Sequence, residues 1–514
     1  MNVRVASRVA VALITCAGLA APVFAQTAPT KPAPSKTTPT KPAKSDPASQ
    51  PAPQPEATPT NRGAPVRGDY VKRGKSRDTL LKIGVRIMGM SSVKPDTNNR
   101  PGLPGKPDGK PKNPGTPAPT DEVPSVPLDR KARTELDLES VSMMFPLVRS
   151  TSGSDLLGNV VDWPEVAGGT MGYRGRLQVA GALADSQPDV LTGYAAGVQI
   201  AKWIYVRKPD DRNIRDIELT LEVPVRTYAV EFDEKAASLV PWPRVWPEEA
   251  ASALKPQTYI ERGLTPEGEL RDYDPKIIEQ TLQAWLDEEG IKDIKSTPLV
   301  QVAKVLTGRV WRTVQPSGDG QVSQRNTGRF MGLELQAPSV TLDRGRGSEH
   351  DMVILLVAML KQAGIPARAV IGLESQADGD RFLDDRGGSK GLRAWVEFCV
   401  YDEARNSINW VPIDIYRMRR SAPRPPKLTT TWKWFGTTET TMELVPFALQ
   451  YQPPTDVATY PIAGFWGWFV TPKAPADVEM ALSFHATDIP RRQGEDLKPS
   501  DNKKPEKKKD KFGD

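Results

Sequence analysis

Histidine and cysteine are scarce in this 514-residue chain, and their scarcity limits the chemistry that its side chains can perform. The histidines are His350 and His485, and the cysteines are Cys16 and Cys399. Two cysteines exclude a disulfide framework and a multi-thiolate zinc or iron–sulfur site, and two histidines exclude a centre with three imidazole ligands. A catalyst that pairs a nucleophile with a histidine must therefore use one of these two. We expect no metal and no cofactor.

The segment Ser348-Glu349-His350-Asp351 gathers four polar side chains, and two interpretations of it stay open. Ser348 could be a nucleophile with His350 as its base. Alternatively, Ser348 is the N-cap of a helix, Asp351 lies in the first turn, and His350 is only a polar first-turn residue. The capping interpretation is favoured.

Two further groups could carry chemistry. Cys399 has the same strand parity as Arg393, but it lies six residues further on, roughly 20 Å along an extended strand. We therefore predict an inert, buried thiol. The loop with Asp378-Gly379-Asp380 and Asp384-Asp385 has oxygens that calcium could use, but its spacing matches no known calcium loop, so a solvated acidic loop is expected.

Hydrophobic spacing predicts which elements position these residues. Asp274-Pro275 and Ser296-Thr297-Pro298 are typical helix starts, and a third, mostly buried helix is predicted over 349–363, ending at Gly364. Strand-like patterns follow at 368–373, 393–401 and 408–413.

This order of elements carries a family resemblance. The motifs are Gly347-Ser348-Glu349-His350-Asp351 before the helix, Gly364-Ile365-Pro366-Ala367-Arg368 after it, Arg393-Ala394-Trp395-Val396-Glu397, and Trp410-Val411-Pro412-Ile413-Asp414. Together they resemble the transglutaminase-like superfamily, which has a papain-like core, over about 299–417. The upstream segment that contains Pro241-Trp242-Pro243 also resembles the β domain that often precedes this core in bacterial members.

The resemblance implies a Cys, His and Asp triad, with the Cys at the helix N-terminus, where the helix dipole favours a thiolate. The matching positions in this chain are Glu349, Arg393 and Asp414. Only the Asp is retained. Glu349 cannot be a thiolate nucleophile, and Arg393 cannot shuttle a proton because its pKa is above ~12. No catalytic residues are therefore expected.

The two replacements preserve the signs of a thiolate–imidazolium pair. Glu349 and Arg393 could form a carboxylate–guanidinium pair, with Asp414 as a second acceptor for the guanidinium. We therefore predict a buried or half-buried ion triad that fixes the start of the helix against the strands.

The first residues have the pattern of a cleaved signal peptide. Arg4 and Arg8 precede an apolar run from 9 to 21, and Val23-Phe24-Ala25 is a small-x-small cleavage site. Beyond it no apolar run is long enough to span a bilayer. The sequence thus predicts a secreted or periplasmic protein without a transmembrane span after signal removal.

Composition divides the remainder of the chain. We expect a signal peptide at 1–25, a Pro/Lys-rich and largely disordered region at 26–130 with a short strand-like island at 78–90, and a β domain at 131–265. A transglutaminase-like core at 266–425, a C-terminal β extension at 426–490 and a charged disordered tail at 491–514 complete the chain. The predicted fold class is α+β: an N-terminal β-sandwich-like domain, the core and a β-rich extension.

Two functions remain open from the sequence. The favoured one is an exported, catalytically inactive transglutaminase-like protein that serves as a binding or structural module for a protein, peptide or cell-envelope polymer. The alternative is a divergent peptidase or acyltransferase using Ser348, His350 or Glu349. Because the chain has no P-loop, dinucleotide fingerprint or nucleic-acid module, no nucleic-acid partner is expected.

Overall fold

The computed structural model of the protein describes residues 64–88, 139–157, 174–179, 182–183, 189–191, 198–207, 216–255, 262–264, 270–272, 275–323, 330–375, 381–383, 391–451, 467–471 and 479–489. The predicted signal peptide, most of the Pro/Lys-rich region, the charged tail, and Asp378-Gly379-Asp380 and Asp384-Asp385 of the acidic loop lie outside these residues.

The strands are, in chain order, β1 (Val66–Arg67), β2 (Val71–Met88), β3 (Ser140–Val148), β4 (Ser150–Thr151), β5 (Ser154–Leu156), β6 (Arg174–Val179), β7 (Ala182–Leu183), β8 (Asp189–Leu191), β9 (Val198–Val206), β10 (Asp216–Phe232), β11 (Arg262–Leu264), β12 (Leu270–Asp272), β13 (Gln315–Pro316), β14 (Gln321–Ser323), β15 (Phe330–Leu333), β16 (Arg346–Gly347), β17 (Ala367–Glu374), β18 (Arg381–Leu383), β19 (Leu392–Asp402), β20 (Ser407–Ile413), β21 (Leu444–Ala448), β22 (Gly467–Thr471) and β23 (Glu479–Asp488). The α-helices are α1 (Glu234–Ala237), α2 (Glu248–Ala251), α3 (Pro275–Glu288), α4 (Leu299–Thr313), α5 (Pro338–Arg344), α6 (Glu349–Gln362) and α7 (Ile415–Ser421).

A five-stranded sheet positions the residues of interest. Its order is β1-β20-β19-β17-β21, and all neighbours are antiparallel except β1 and β20. Helix α6 packs against β19 and β17, and every residue from Glu349 to Leu360 is buried. A helix buried on all faces needs apolar residues all round, which is the pattern of this segment. The part of the predicted α+β fold class that requires helices packed on a sheet in the core is confirmed.

Two further sheets contain long strands in which buried and more exposed side chains alternate. One has the order β18-β23-β2-β10-β5-β4, with β6 and β7 attached through β10, and the other has the order β22-β3-β9-β8. In β2, Leu81, Ile83 and Val85 are buried, as period-2 alternation requires. A Cβ placed on Gly175 of β6 would come within 2.3 Å of the Trp203 ring on β9, so the two sheets touch there.

Among the helices of the described residues, none is long and apolar enough to cross a bilayer.

Candidate functional site

Helix α6 begins with a complete capping box. The side chain of Ser348, the N-cap, accepts a hydrogen bond from the Asp351 backbone N–H at 3.2 Å. The Asp351 carboxylate accepts in return from the Ser348 backbone N–H at 2.8 Å. These reciprocal bonds satisfy two donors that a helix start leaves without partners. Glu349 is consequently fixed in the first turn, at the positive end of the helix dipole.

Arg393 meets Glu349 from the neighbouring sheet. Its Nε donates to the two carboxylate oxygens of Glu349 at 2.8 and 3.1 Å, and the backbone N–H of Ala394 donates to Oε1 at 2.8 Å. Both side chains are only 9% exposed. The predicted contact between Glu349 and Arg393 is thus present and buried.

Asp414 completes the triad from the far side of the guanidinium. It follows β20 and caps α7, where its side chain accepts from the Arg417 backbone N–H at 3.0 Å. The Nη2 atom of Arg393 lies 3.1 Å from Asp414 Oδ2. The structure therefore brings together all three residues that the family resemblance singles out, as an ion triad.

Two residues that the sequence-based prediction missed extend this triad. Glu374, at the end of β17, accepts from Arg393 Nη1 at 3.3 Å and from Arg417 Nη2 at 2.9 Å. Arg417 also lies 3.4 Å from Asp414. Arg417 could have been found from the sequence, because it lies three residues after Asp414. Glu374 could not, because its position beside Arg393 follows from the register of β17 and β19, in which Gly372 is paired with Arg393.

The network holds three carboxylates and two guanidiniums, and this excess of acid shapes its electrostatics. Burial raises the pKa of Glu349 to about 7; Arg393 opposes that rise, and the carboxylate of Asp414 adds to it. Burial alone would lower the pKa of Arg393, but the charges of Asp414 and Glu349 raise it above its ordinary value. The guanidinium therefore stays charged and cannot serve as a base.

Ser348 is enclosed as well as engaged in the cap. It is 2% exposed, and its Oγ lies 2.9 Å from the Asp351 carboxylate. The loop over it includes Gly320, with φ +67, where a Cβ would come within 2.8 Å of that Oγ. This close approach and the positive φ require glycine at position 320, and the backbone there helps to bury the Ser348 hydroxyl.

His350 is a core residue and not a polar surface residue of the first turn. It is 1% exposed, and its Nδ1 lies 2.9 Å from the hydroxyl of Tyr451. Burial lowers the pKa of His350 to about 3, with a further contribution from the charge of Arg393. At neutral pH its ring is uncharged and hydrogen-bonded inside the core. His485 lies on β23 in a different sheet.

Cys399 is a buried thiol, as predicted. It is fully buried beside Tyr401 and Trp410, and burial raises its pKa well above the usual range. A thiol without thiolate character is a poor nucleophile. No group of three His, Cys, Asp or Glu side chains is arranged to hold a metal ion within the described part of the chain.

Comparisons with known proteins agree with the motifs. Residues 326–415 match the model of the transglutaminase-like superfamily, and this segment contains Glu349, Arg393 and Asp414. No curated protein sequence matches the chain.

Solved structures give weaker likenesses. A proposed cysteine protease from Cytophaga hutchinsonii is 10% identical, with a TM-score of 0.40 over 82% of this chain and 94% of its own. The periplasmic domain of TgpA from Pseudomonas aeruginosa is 12% identical, with a TM-score of 0.21 over 52% of this chain and 94% of its own. Red sea bream transglutaminase is 14% identical, with a TM-score of 0.23 over 60% of this chain and 57% of its own. Scores below 0.5 establish no shared fold by themselves.

Proposed function

We propose, on the premise that residues 326–415 form a transglutaminase-like domain, that this domain is not catalytic and serves an exported protein as a binding or structural module for peptide or cell-envelope material. The domain bounds predicted from the sequence, including an N-terminal β-sandwich at 131–265, are part of this proposal. Export is supported by the signal-peptide pattern of residues 1–25.

One observation carries the non-catalytic assignment: Arg393 holds Glu349 and Asp414 at 2.8 and 3.1 Å. The position that would need a nucleophile holds a carboxylate that is already bonded to a guanidinium. The position that would need a proton shuttle holds a group that does not release its proton. An acyl-enzyme mechanism therefore lacks both of its reacting groups, and losing such a unit lowers rates by about 10⁴-fold or more.

The alternative assignment, a divergent peptidase or acyltransferase, needs Ser348, His350 or Glu349 to act. Ser348 is enclosed in the capping box, and His350 is a buried neutral ring bonded to Tyr451. Glu349 has the raised pKa of a potential acid, but its two oxygens accept from Arg393 and Ala394. These contacts favour a structural role for all three.

The test is an assay of amine incorporation and of peptide hydrolysis on the wild-type protein and on three variants. Ser348→Ala removes the alternative nucleophile. Glu349→Ala removes the carboxylate, and Glu349→Cys with Arg393→His restores the residue types of the family triad. We expect the wild type and Glu349→Ala to stay at the background rate. The double variant shows whether the scaffold still accepts substrate.

A matched control is Glu349→Cys alone, which has the thiol without the imidazole. Wild-type activity that disappears in Glu349→Ala would overturn the non-catalytic assignment. Activity that persists in Glu349→Ala but disappears in Ser348→Ala would overturn it in favour of a serine nucleophile.

A further inference from the structure

A strongly basic loop leaves the candidate site at Asp414 and returns to it. Residues 415–434, here called the basic loop, contain six Lys or Arg residues and no Asp or Glu. The loop comprises α7 and the Pro-rich segment after it. Its two ends meet because the backbone N–H of Asp414 donates to the carbonyl of Trp434 at 3.1 Å.

The loop is held by its backbone carbonyls. Indole N–H groups of Trp311 and Trp432 donate to the carbonyls of Ala422 and Lys427 at 2.8 and 3.0 Å. The buried ammonium of Lys304 donates to the carbonyl of Thr430 at 2.7 Å. These anchors fix the course of the loop without using the side chains of Arg420, Arg424, Lys427 and Lys433. The cations are therefore presented from a preorganised backbone, which reduces the entropy lost on binding.

Four of the six basic side chains in the loop are exposed to solvent. Arg417 belongs to the ion network, and the Nε of Arg419 donates to the carbonyl of Val314 at 3.1 Å. The other four are exposed and have no carboxylate partner among the described residues; they are Arg420, Arg424, Lys427 and Lys433. Like charges gathered without acids repel one another, so the arrangement favours an anionic partner.

Half-buried aromatic rings lie beneath two of these cations. The guanidinium of Arg420 is 5.6 Å from the ring centre of Tyr416, and the ammonium of Lys433 is 4.4 Å from that of Trp434. Rings with an apolar body and a polar edge, next to long basic side chains, are typical of residues at a membrane–water interface.

Proline restricts how the loop can bind. Pro423, Pro425 and Pro426 have no backbone N–H, so this part of the loop cannot add a strand to an extended peptide. The partner must therefore be bound by the exposed, positively charged side chains. Such binding suits a negatively charged surface better than a peptide, which would have to pair with the backbone in a defined register.

We infer that the basic loop docks this protein on an anionic lipid surface, with Arg420, Arg424, Lys427 and Lys433 facing the headgroups. The inference rests on the cell-envelope binding role proposed above, and it names the surface and the partner. It does not depend on Glu349 or Arg393. A soluble anionic polymer is the competing occupant, but only a lipid surface also offers an interfacial layer to the exposed parts of Tyr416 and Trp434, whose remaining surface packs against the core.

The test is sedimentation of the purified protein with vesicles of phosphatidylcholine containing about 30% phosphatidylglycerol, beside vesicles of phosphatidylcholine alone. We expect binding to the anionic vesicles only, and its loss at about 0.5 M salt, where surface charges are screened. The variant Arg420→Ser/Arg424→Ser/Lys427→Ser should bind about 100-fold more weakly, given the usual contribution of each cation near a lipid surface.

The matched control is Lys72→Ser/Lys75→Ser/Lys292→Ser, which removes the same charge from exposed positions outside the loop. Its affinity should change less than about 3-fold, since distant surface charges are screened. Equal losses in both triple variants, or no binding of the wild type to anionic vesicles, would overturn the inference. So would binding of dextran sulfate through the loop without binding of vesicles.

The outcomes separate this inference from the proposed function. If vesicle binding fails while the wild type shows no amine incorporation, the lipid-docking inference is wrong and the non-catalytic assignment stands. If catalysis is found but the loop variant loses vesicle binding, the non-catalytic assignment is wrong and the lipid-docking inference stands. Thermal unfolding of both triple variants verifies that they are folded.

Discussion

Replacing Arg393 by Met should destabilise the fold more than any other single change in the ion network. The substitution keeps much of the side-chain length and removes one positive charge between three carboxylates. In the wild type, Arg393 lies 2.8 Å from Glu349, 3.1 Å from Asp414 and 3.3 Å from Glu374. All three acids would lose a partner at once.

The magnitude follows from which partners remain. Asp414 and Glu374 keep Arg417, at 3.4 and 2.9 Å, but Glu349 keeps only the backbone N–H of Ala394. Removing one partner of a buried ion pair costs about 3–5 kcal/mol, mostly because the other charge is left uncompensated. At roughly 2–4 °C per kcal/mol for a domain of this size, the melting temperature should fall by roughly 6–20 °C.

The assay is thermal and urea unfolding of three variants at about pH 8 and pH 5. Arg417→Met is the control at the edge of the network; its side chain is 17% exposed, and both of its carboxylate partners keep Arg393, so the loss should be smaller, about 1–2 kcal/mol. Arg393→Met with Glu349→Leu removes both charges and should recover most of the stability, because the uncompensated carboxylate has gone. The deficit of Arg393→Met should also shrink at the lower pH, since Glu349 then binds a proton.

Two results would refute this reasoning. A loss below about 1 kcal/mol for Arg393→Met would mean that the pair contributes no more than an exposed ion pair does. A deficit that is the same at both pH values would mean that the uncompensated carboxylate is not its cause.

Two further predictions concern His350 and Cys399. Because burial lowers the pKa of His350 to about 3 from 6.5, the unfolded chain takes up a proton below pH 6.5 that the folded chain does not. Stability from this group is therefore complete above pH 6.5 and falls by about 1.4 kcal/mol per pH unit below it. Glu349 acts in the opposite sense, since its pKa is raised from 4.5 to about 7 and its ionisation above pH 4.5 destabilises the fold. His350→Gln should thus gain stability relative to wild type between about pH 6 and pH 4.5, as measured by urea unfolding; an unchanged difference across that range would contradict the burial argument. Cys399 should react with a small thiol reagent only in denaturant, and rapid modification of the native protein at neutral pH would contradict the inert assignment.

Local patterns were sufficient to predict the elements around the site. Helix α6 follows from the Ser348 cap, an apolar run and Gly364, which adopts φ +77 at the helix end. Strands β17, β19 and β20 follow from short apolar runs bounded by turn residues. Pairings between distant segments could not be predicted: β2 lies beside β23, and β21 joins β17 in the central sheet. Such contacts depend on which surfaces meet after folding, not on local periodicity.

In the candidate site, too, some contacts were predictable from the sequence and others were not. The signs of Glu349 and Arg393 at matching motif positions were enough to predict their contact, since opposite charges on facing elements attract. The burial of His350 was not predictable, because its partner Tyr451 lies 101 residues further along the chain. A polar residue in a first helical turn is usually exposed, whereas His350 contacts Tyr451 and is 1% exposed.

The helix start explains why a carboxylate can occupy the position where the resemblance implies a thiolate. Both groups are anions, and the first turn of α6 offers an anion the positive end of the helix dipole. The N–H of Ala394 and the guanidinium of Arg393 supply donors to the same point, at 2.8 Å each. An apolar residue of similar size would leave these two donors without an acceptor in a buried site. The first turn of α6 and these two donors therefore form a site that binds a negative charge, and in this chain the carboxylate of Glu349 supplies that charge.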